Sequence, residues 1–82
     1  MKRTTIDQAI RDSVSRAIPE IEDPDFETEL TSGLGLDSVQ VMNMVMELED
    51  ELDVSIPVNV LADVRTLGQL GDQLERMLNS DR

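Results

Sequence analysis

From Ser38 to Leu52 the chain contains neither Gly nor Pro, and its apolar residues recur at steps of three and four. Such spacing places the apolar residues on one face of an α-helix. The stripe consists of Val41, Met42, Val45, Leu48 and Leu52. We therefore predict a helix over residues 38–52 whose apolar face is covered by other helices. Met44 and Met46 lie off the stripe, and we expect both to pack in the core, because Met adapts to irregular gaps; the alternative is that they line a space for a flexible apolar ligand.

The same spacing of apolar residues occurs near the start of the chain, from Ile6 to Ile18, and a proline follows it. Because proline cannot continue a helix, this pattern predicts a first helix over residues 5–18. Thr4 or Thr5 could cap its start, since a hydroxyl oxygen there can accept a hydrogen bond from an unpaired backbone N–H.

Residues 19–37 contain prolines, glycines and a run of acidic residues, which predicts a long first loop. Apolar residues recur within it and predict that the loop packs on the core; they are Ile21, Phe26, Leu30, Leu34 and Leu36. Long loops without secondary structure are uncommon in compact domains unless they serve a function. We therefore expect a helical turn between Phe26 and Leu30, a functional role for the loop, or both.

Two further helices are predicted after the central one. An apolar cluster from Val58 to Leu61 indicates a short third helix. Thr66 and Gln69 form a capping-box pattern that opens a final helix over residues 66–79. The predicted fold is all-α: a four-helix bundle of three main helices and a short third one, with a long first loop, in a single domain over residues 1–82.

Composition restricts the chemistry. Phe26 is the single aromatic residue among 82, so the core must be aliphatic, which suits packed helices. The absence of Cys and His excludes disulfides, thiolate or imidazole metal sites and an imidazole base. A formal charge of −11 disfavours nucleic acid and anionic membranes and favours basic protein partners. With no apolar stretch long enough to span a bilayer and no signal peptide, we expect a cytoplasmic monomer.

The sequence singles out one site, where the long loop meets the central helix. Asp37 is a good helix cap there, and Ser38 falls in the first turn. An Asp-Ser pair in this position most often does no more than cap a helix. Since the chain has no His, Ser38 also has no imidazole base and cannot act as a hydrolase nucleophile would. Any activation of its hydroxyl must come from a partner.

The surrounding residues resemble a known family. The motif that carries the resemblance is Leu34-Gly35-Leu36-Asp37-Ser38-Val39, and the segments that follow it are Val41-Met42, Leu48-Glu49-Asp50-Glu51-Leu52, Ile56-Pro57 and Thr66-Leu67. With this motif and these segments, the sequence resembles the phosphopantetheine-binding acyl carrier proteins over nearly the whole chain. The resemblance implies a non-catalytic carrier with the acyl-carrier type of bundle. Because little linker lies at either end, at Met1 and at Asp81-Arg82, we expect a stand-alone carrier rather than a module of a large synthase.

The resemblance implies that a phosphopantetheinyl transferase uses Mg²⁺ and coenzyme A to attach 4′-phosphopantetheine to Ser38, with Asp37 taking part in transferase recognition. Acyl or related intermediates would then ride on the terminal thiol as thioesters.

The resemblance also implies a docking surface on the central helix for the basic faces of synthase or acyl-transferring enzymes. The predicted docking residues are Val39, Met42, Glu47, Glu49, Asp50 and Glu51. Carboxylates crowded near a helix C-terminus oppose the helix dipole, which suggests that they are kept for a purpose, although a solvated face is an equal alternative. Gln40 and Asn43 stand where the common fatty-acid type carries acids, which indicates a specialised fatty-acid, lipid or polyketide pathway.

Three other functions are compatible with the sequence. An aryl, peptidyl or D-alanyl carrier is one alternative, although peptidyl carriers usually have Gly rather than Asp close before the Ser. A second is an unmodified acidic adaptor in which Asp37 and Ser38 only cap a helix. A third is weak divalent cation binding by Asp23, Asp25 and Glu27, but the glycine that a calcium loop needs is replaced by Thr28. We expect no specific metal site.

Overall fold

The computed structural model describes residues 1–79 and contains four α-helices in this part of the chain. They are α1 (Arg3–Ala17), α2 (Ser38–Leu52), α3 (Val58–Ala62) and α4 (Leu67–Asn79). The described residues form no β-strand and only one isolated bridge, between Glu29 and Thr66. The all-α prediction is therefore confirmed, as are a short third helix and a long first loop.

The helix limits follow from the local sequence with one exception. The central helix covers the predicted residues, and Thr66 caps α4 as expected: its Oγ1 accepts the Gln69 backbone N–H at 3.1 Å, and Gln69 Oε1 accepts the Thr66 N–H at 3.3 Å. The prediction for the start of α1 is wrong. Its N-cap is Lys2, which makes no side-chain cap, so neither Thr4 nor Thr5 has that role.

Tertiary contacts hold the first turn of α1 instead of a cap. The Arg3 guanidinium donates hydrogen bonds to Asp7 at 2.9 Å and Asp72 at 2.6 Å, and it also reaches the Gly68 carbonyl at 3.0 Å. Bonding to Asp7 and Asp72 raises the pKa of Arg3 above its usual value. Gly71 leaves room for the guanidinium, because a Cβ there would lie 2.7 Å from Arg3 Nη2. The start of α1 is thereby fixed to α4.

The core lies between the three long helices and is aliphatic, as predicted. Its fully buried members are Ile6, Ile10 and Val14 on α1, Met44, Val45 and Leu48 on α2, and Leu67, Leu70 and Leu74 on α4. Phe26 packs beside this core, with the Arg11 guanidinium 4.7 Å from its ring centre. One polar residue, Ser13, is buried among the described residues, and its hydroxyl donates to the Ala9 carbonyl at 2.8 Å. The core therefore needs no polar network.

The methionines of α2 differ from the prediction. Met44 is fully buried, whereas Met42 is 42% and Met46 58% exposed. The prediction that Met46 packs in the core is wrong, and Met42 lies outside the fully buried face. The reason is that the two apolar sides of α2 are covered unequally. Long helix α1 packs over one side of α2. Met42 instead lines a cleft together with Leu61 of α3, a helix that is five residues long and has no buried residue.

The first loop is ordered by backbone hydrogen bonds to the junction between α3 and α4. The Leu30 N–H donates to the Arg65 carbonyl at 2.8 Å, and the Gly68 N–H donates to the Phe26 carbonyl at 2.9 Å. A turn occurs at the predicted place, where the Thr28 N–H donates to the Asp25 carbonyl at 3.2 Å, and a second turn follows, where the Gly33 N–H donates to the Glu29 carbonyl at 2.9 Å. The predicted packing of this loop on the core is confirmed, since Leu30 is only 5% exposed.

Asp53 ends α2 in the left-handed backbone conformation, with φ 56° and ψ 50°. Glycine adopts this conformation without steric cost, and a carboxylate at a helix C-terminus opposes the dipole. We expect Asp53→Gly to raise the free energy of unfolding by about 0.5–1 kcal/mol. Asp53→Asn removes the same charge but keeps a side chain. Urea unfolding of both variants separates the two effects, and equal stability of the two would contradict a backbone contribution.

Candidate functional site

Asp37 and Gln40 fix the start of α2 by a reciprocal pair of hydrogen bonds. The Asp37 carboxylate accepts the Gln40 backbone N–H at 2.8 Å, and Gln40 Oε1 accepts the Asp37 backbone N–H at 3.1 Å. The prediction that Asp37 is the N-cap is confirmed. Gln40 has a structural role that we did not predict, although Asp followed three residues later by Gln is itself a capping-box pattern. The position of Ser38 is therefore set by its own helix.

Ser38 is the first residue of α2, and its side chain is exposed. Within residues 1–79 no hydrogen bond involves its hydroxyl group, so the oxygen is available to an incoming group. The N-terminal end of α2 carries partial positive charge, which suits a nearby phosphodiester anion. Ser38 thus presents a primary alcohol on a fixed helix, with no imidazole in the sequence and no base hydrogen-bonded to it within residues 1–79.

A cleft of about 390 Å³ opens next to Ser38, between α2, α3 and the first loop. Its apolar lining consists of Leu30, Val41, Met42, Leu61 and Val64, and its polar lining consists of Glu29, Thr31, Ser38 and Arg65. The exposed side of Met42 is explained by this cleft, which the short helix α3 does not close. An apolar group attached at Ser38 would find apolar side chains within the cleft.

Two features fix the path of the first loop just before Ser38: an anchor at Leu36 and the backbone conformation of Gly35. Leu36 is buried, and its N–H donates to the Leu30 carbonyl at 2.9 Å, which anchors the loop two residues before Ser38. Gly35 has a φ of 75°, which favours glycine. Because nothing lies within 4 Å of a Cβ built at Gly35, the requirement for glycine there is conformational rather than spatial.

We expect Gly35→Ala to lower the free energy of unfolding by about 1 kcal/mol, since Ala enters the left-handed region at a steric cost. Gly35→Asn is the matched comparison, because Asn tolerates that region better. Its loss should be smaller than that of the Ala variant. Chemical denaturation of the unmodified proteins measures both, and an equal loss in the two variants would show that the positive φ is not the cause.

The predicted docking residues on α2 divide into two groups. Val39 is 65% and Met42 42% exposed, and exposed Met46 lies on the same helix. Three of the four acids have partners within the chain. Arg16 Nη1 lies 2.7 Å from Glu51 and 3.9 Å from Glu47, and Glu49 Oε2 accepts the Ile56 N–H at 2.7 Å. Asp50 is exposed, with no ion pair in the described part of the chain.

These contacts account for much of the acid cluster without a partner protein. Arg16 joins the end of α1 to the end of α2, and hydrogen bonding to Glu51 raises the pKa of this guanidinium. Glu49 satisfies a backbone N–H where the chain leaves α2. The predicted docking role of the acids stays a prediction, for which Asp50 is the acid on α2 that is not engaged within residues 1–79.

The acids of the first loop form turns rather than a ligand cage. Asp25 Oδ1 accepts the Glu27 backbone N–H at 2.9 Å, an interaction that closes a local turn. Across residues 1–79 no group of three or more carboxylates is placed to hold a metal ion. In the same part of the chain no helix has the length and apolar character that crossing a membrane requires.

A helical bundle with an exposed serine at the start of its central helix, beside an apolar cleft, suits covalent attachment of a flexible arm. The family model described as "Phosphopantetheine attachment site" matches residues 8–74. The chain therefore belongs to the family of phosphopantetheine-binding acyl carrier proteins. Membership indicates covalently attached 4′-phosphopantetheine as the cofactor, and such proteins are carriers rather than catalysts.

Curated relatives agree with this assignment. The chain is 48% identical over 44 residues to a probable acyl carrier protein of Caulobacter vibrioides, a match covering 54% of this chain and 51% of that protein. It is 33% identical over 53 residues to an acyl carrier protein of Amoebophilus asiaticus, covering 65% and 66% of the two chains. An acyl carrier protein of an Exiguobacterium species is 30% identical over 73 residues, covering 89% of each. The chain thus spans about half the length of the Caulobacter relative and just under two thirds of the length of the Amoebophilus relative. No solved structure matches the chain.

Proposed function

We propose that this chain carries acyl or related intermediates as thioesters on 4′-phosphopantetheine attached to Ser38 Oγ, in a specialised fatty-acid, lipid or polyketide pathway. The observation that supports the site most directly is the exposed Ser38 hydroxyl in the first turn of α2, on the rim of an apolar cleft. The terminal thiol of the arm supplies the chemistry by holding the cargo as a thioester.

The role of the chain in loading is to present an alcohol. The cap formed by Asp37 and Gln40 holds Ser38 in place, and a phosphopantetheinyl transferase with Mg²⁺ would supply the base that removes the hydroxyl proton. The Ser38 oxygen would then form a bond to the phosphorus that carries the pantetheine, the pyrophosphate bond of coenzyme A would break, and 3′,5′-ADP would leave. The carboxylate of Asp37 is exposed as well as engaged in the cap, so it remains accessible for recognition by the transferase.

For docking we propose the face of α2 that carries Val39, Met42, Met46 and Asp50. Its apolar members are exposed, and apolar contacts contribute most to interface affinity when they are buried on binding. The partners would be transferase and synthase enzymes with basic surfaces, attracted by the net charge of −11. The neutral residues Gln40 and Asn43 support a pathway other than primary fatty-acid synthesis.

Several broader features belong to the same proposal. The three long helices share one core, which supports a single carrier domain. Action as a monomer in the cytoplasm stays a prediction. An aryl, peptidyl or D-alanyl cargo is the alternative within the family, and an unmodified adaptor is the alternative outside the carrier function.

Intact-mass spectrometry tests the proposal. The wild-type protein is incubated with a broad-specificity phosphopantetheinyl transferase, Mg²⁺ and coenzyme A, and a parallel sample lacks coenzyme A. We expect a mass gain of one phosphopantetheine group in the complete mixture only. If the wild-type protein gains no mass, the carrier function is wrong and the adaptor alternative is favoured.

A further inference from the structure

Basic residues are scarce in this chain, and one of them lines the cleft at Ser38. The sequence contains 7 Lys and Arg residues against 18 acids. Arg3 and Arg16 bind carboxylates, and Arg11 lies over Phe26. Among the described residues that line the Ser38 cleft, Arg65 is the single cation. Its location therefore places positive charge where the chain otherwise has little.

The backbone of Arg65 is held on both sides. Its N–H donates to Gln69 Oε1 at 2.6 Å, as part of the cap of α4, and its carbonyl accepts the Leu30 N–H at 2.8 Å. The backbone of Arg65 is thus hydrogen-bonded both to α4 and to the first loop, and that loop ends at Ser38. The backbone that carries this cation is therefore fixed at the edge of the cleft.

The guanidinium of Arg65 has no carboxylate partner within residues 1–79, although the chain is strongly acidic. Glu29 also lines the cleft, but its carboxylate accepts a hydrogen bond from the Ser32 hydroxyl. Arg3 and Arg16 show that arginines of this chain readily form ion pairs where an acid is placed for them. The cleft thus holds an arginine that forms no ion pair with any acid of the described chain.

Attachment of phosphopantetheine to Ser38 would bring a phosphodiester anion to the cleft, where Arg65 has no carboxylate partner among the described residues. A phosphodiester carries a negative charge, and it would stand beside Asp37 on a protein whose charge is already −11. Guanidinium groups match the geometry of phosphate oxygens and bind them by charge-assisted hydrogen bonds. We infer that Arg65 binds the phosphodiester of the arm on Ser38 and so positions the first part of the arm along the cleft. This inference rests on the proposed attachment at Ser38.

The phosphorus nucleus reports the contact directly. Wild type, Arg65→Gln, Arg65→Lys and Arg76→Gln are loaded, and ³¹P NMR spectra are recorded from low salt to about 1 M, where the Debye length falls to about 3 Å. Arg76 is the matched control, since it is an exposed arginine of α4 that does not line the cleft. The ³¹P shift should move with salt to the same extent in wild type and Arg76→Gln, clearly less in Arg65→Gln, where only the helix end and Asp37 remain nearby, and to an intermediate extent in Arg65→Lys.

Thermal unfolding gives an independent readout. Loading should lower the melting temperature by about 2 °C more in Arg65→Gln than in wild type, because an exposed ion pair contributes a fraction of a kcal/mol. Arg76→Gln should match wild type. Identical behaviour of the Arg65→Gln and Arg76→Gln variants in both experiments would overturn the inference.

The loading step itself separates this inference from the proposed function. If the wild-type protein is not loaded, attachment at Ser38 is wrong, whatever Arg65 does. If wild type and Arg76→Gln are loaded but both Arg65 variants are not, Arg65 acts in the encounter with the transferase, and the assignment to the arm is overturned.

Discussion

Replacement of Ser38 by Ala is expected to abolish the mass gain from phosphopantetheinyl transferase and coenzyme A, while α2 stays intact. The hydroxyl is the proposed nucleophile, and no other group of Ser38 could replace it. The cap of α2 uses Asp37 and Gln40, so it does not depend on the Ser38 side chain. Since that side chain is exposed and unbonded in the described structure, the free energy of unfolding should change by less than about 0.5 kcal/mol.

Ser55→Ala is the matched control, because Ser55 is also an exposed serine but lies beyond the opposite end of α2. It should be loaded as fully as wild type. Circular dichroism of both variants establishes that their helices are retained. Modification of a folded Ser38→Ala protein would show that the attachment site has been assigned to the wrong residue.

Met44→Ala and Met42→Ala should differ widely in stability, although they delete the same atoms from the same helix. Met44 is fully buried, so its truncation leaves a cavity and should cost about 2–5 kcal/mol of unfolding free energy. Met42 is 42% exposed at the edge of the cleft, where solvent fills the vacated space, and its truncation should cost less than about 1 kcal/mol.

Urea denaturation of the two unmodified variants measures this difference. Met46→Ala, at a residue that is 58% exposed, serves as a second surface control. Equal losses for Met44→Ala and Met42→Ala would mean that the buried side of α2 has been assigned incorrectly. The comparison also separates the stability of the core from the docking proposal, since Met42 and Met46 are proposed to contact partners.

The helices were predictable because each is determined by signals close together in the sequence. The central helix has an uninterrupted apolar pattern, and α4 has its cap at Thr66 and Gln69. The Asp37–Gln40 capping pattern was also visible in the sequence, but we noted Gln40 only as a neutral residue where the common fatty-acid type has an acid. Short-range chemistry thus determined most element limits and the place of Ser38.

The unpredicted features depend on which distant segments meet. Apolar spacing on α2 did not reveal how far long helix α1 covers it, so Met46 was wrongly expected in the core. Met42 was predicted both on the apolar stripe and among the docking residues, and only the structure shows that it is partly exposed. The hydrogen bond from Leu30 to Arg65 joins backbone groups far apart in the sequence. Such a bond cannot be predicted from the sequence, because every residue other than proline has the same backbone N–H and C=O groups. The pairing of Arg16 with Glu51 and the place of Arg65 beside Ser38 also depend on distant segments and required the structure.

The pairing of Arg16 with Glu47 and Glu51 should also affect how fast a basic partner of the proposed kind meets this face. Long-range steering depends on charge that is not offset nearby, and the helix that leads from Ser38 has two of its acids beside an arginine. Association rates at this face should therefore fall less steeply with ionic strength than they would if the acids of α2 had no arginine beside them. Residence times would then depend mainly on how well a partner covers Val39, Met42 and Met46. Selectivity between enzymes would arise after the encounter, in the rate of release.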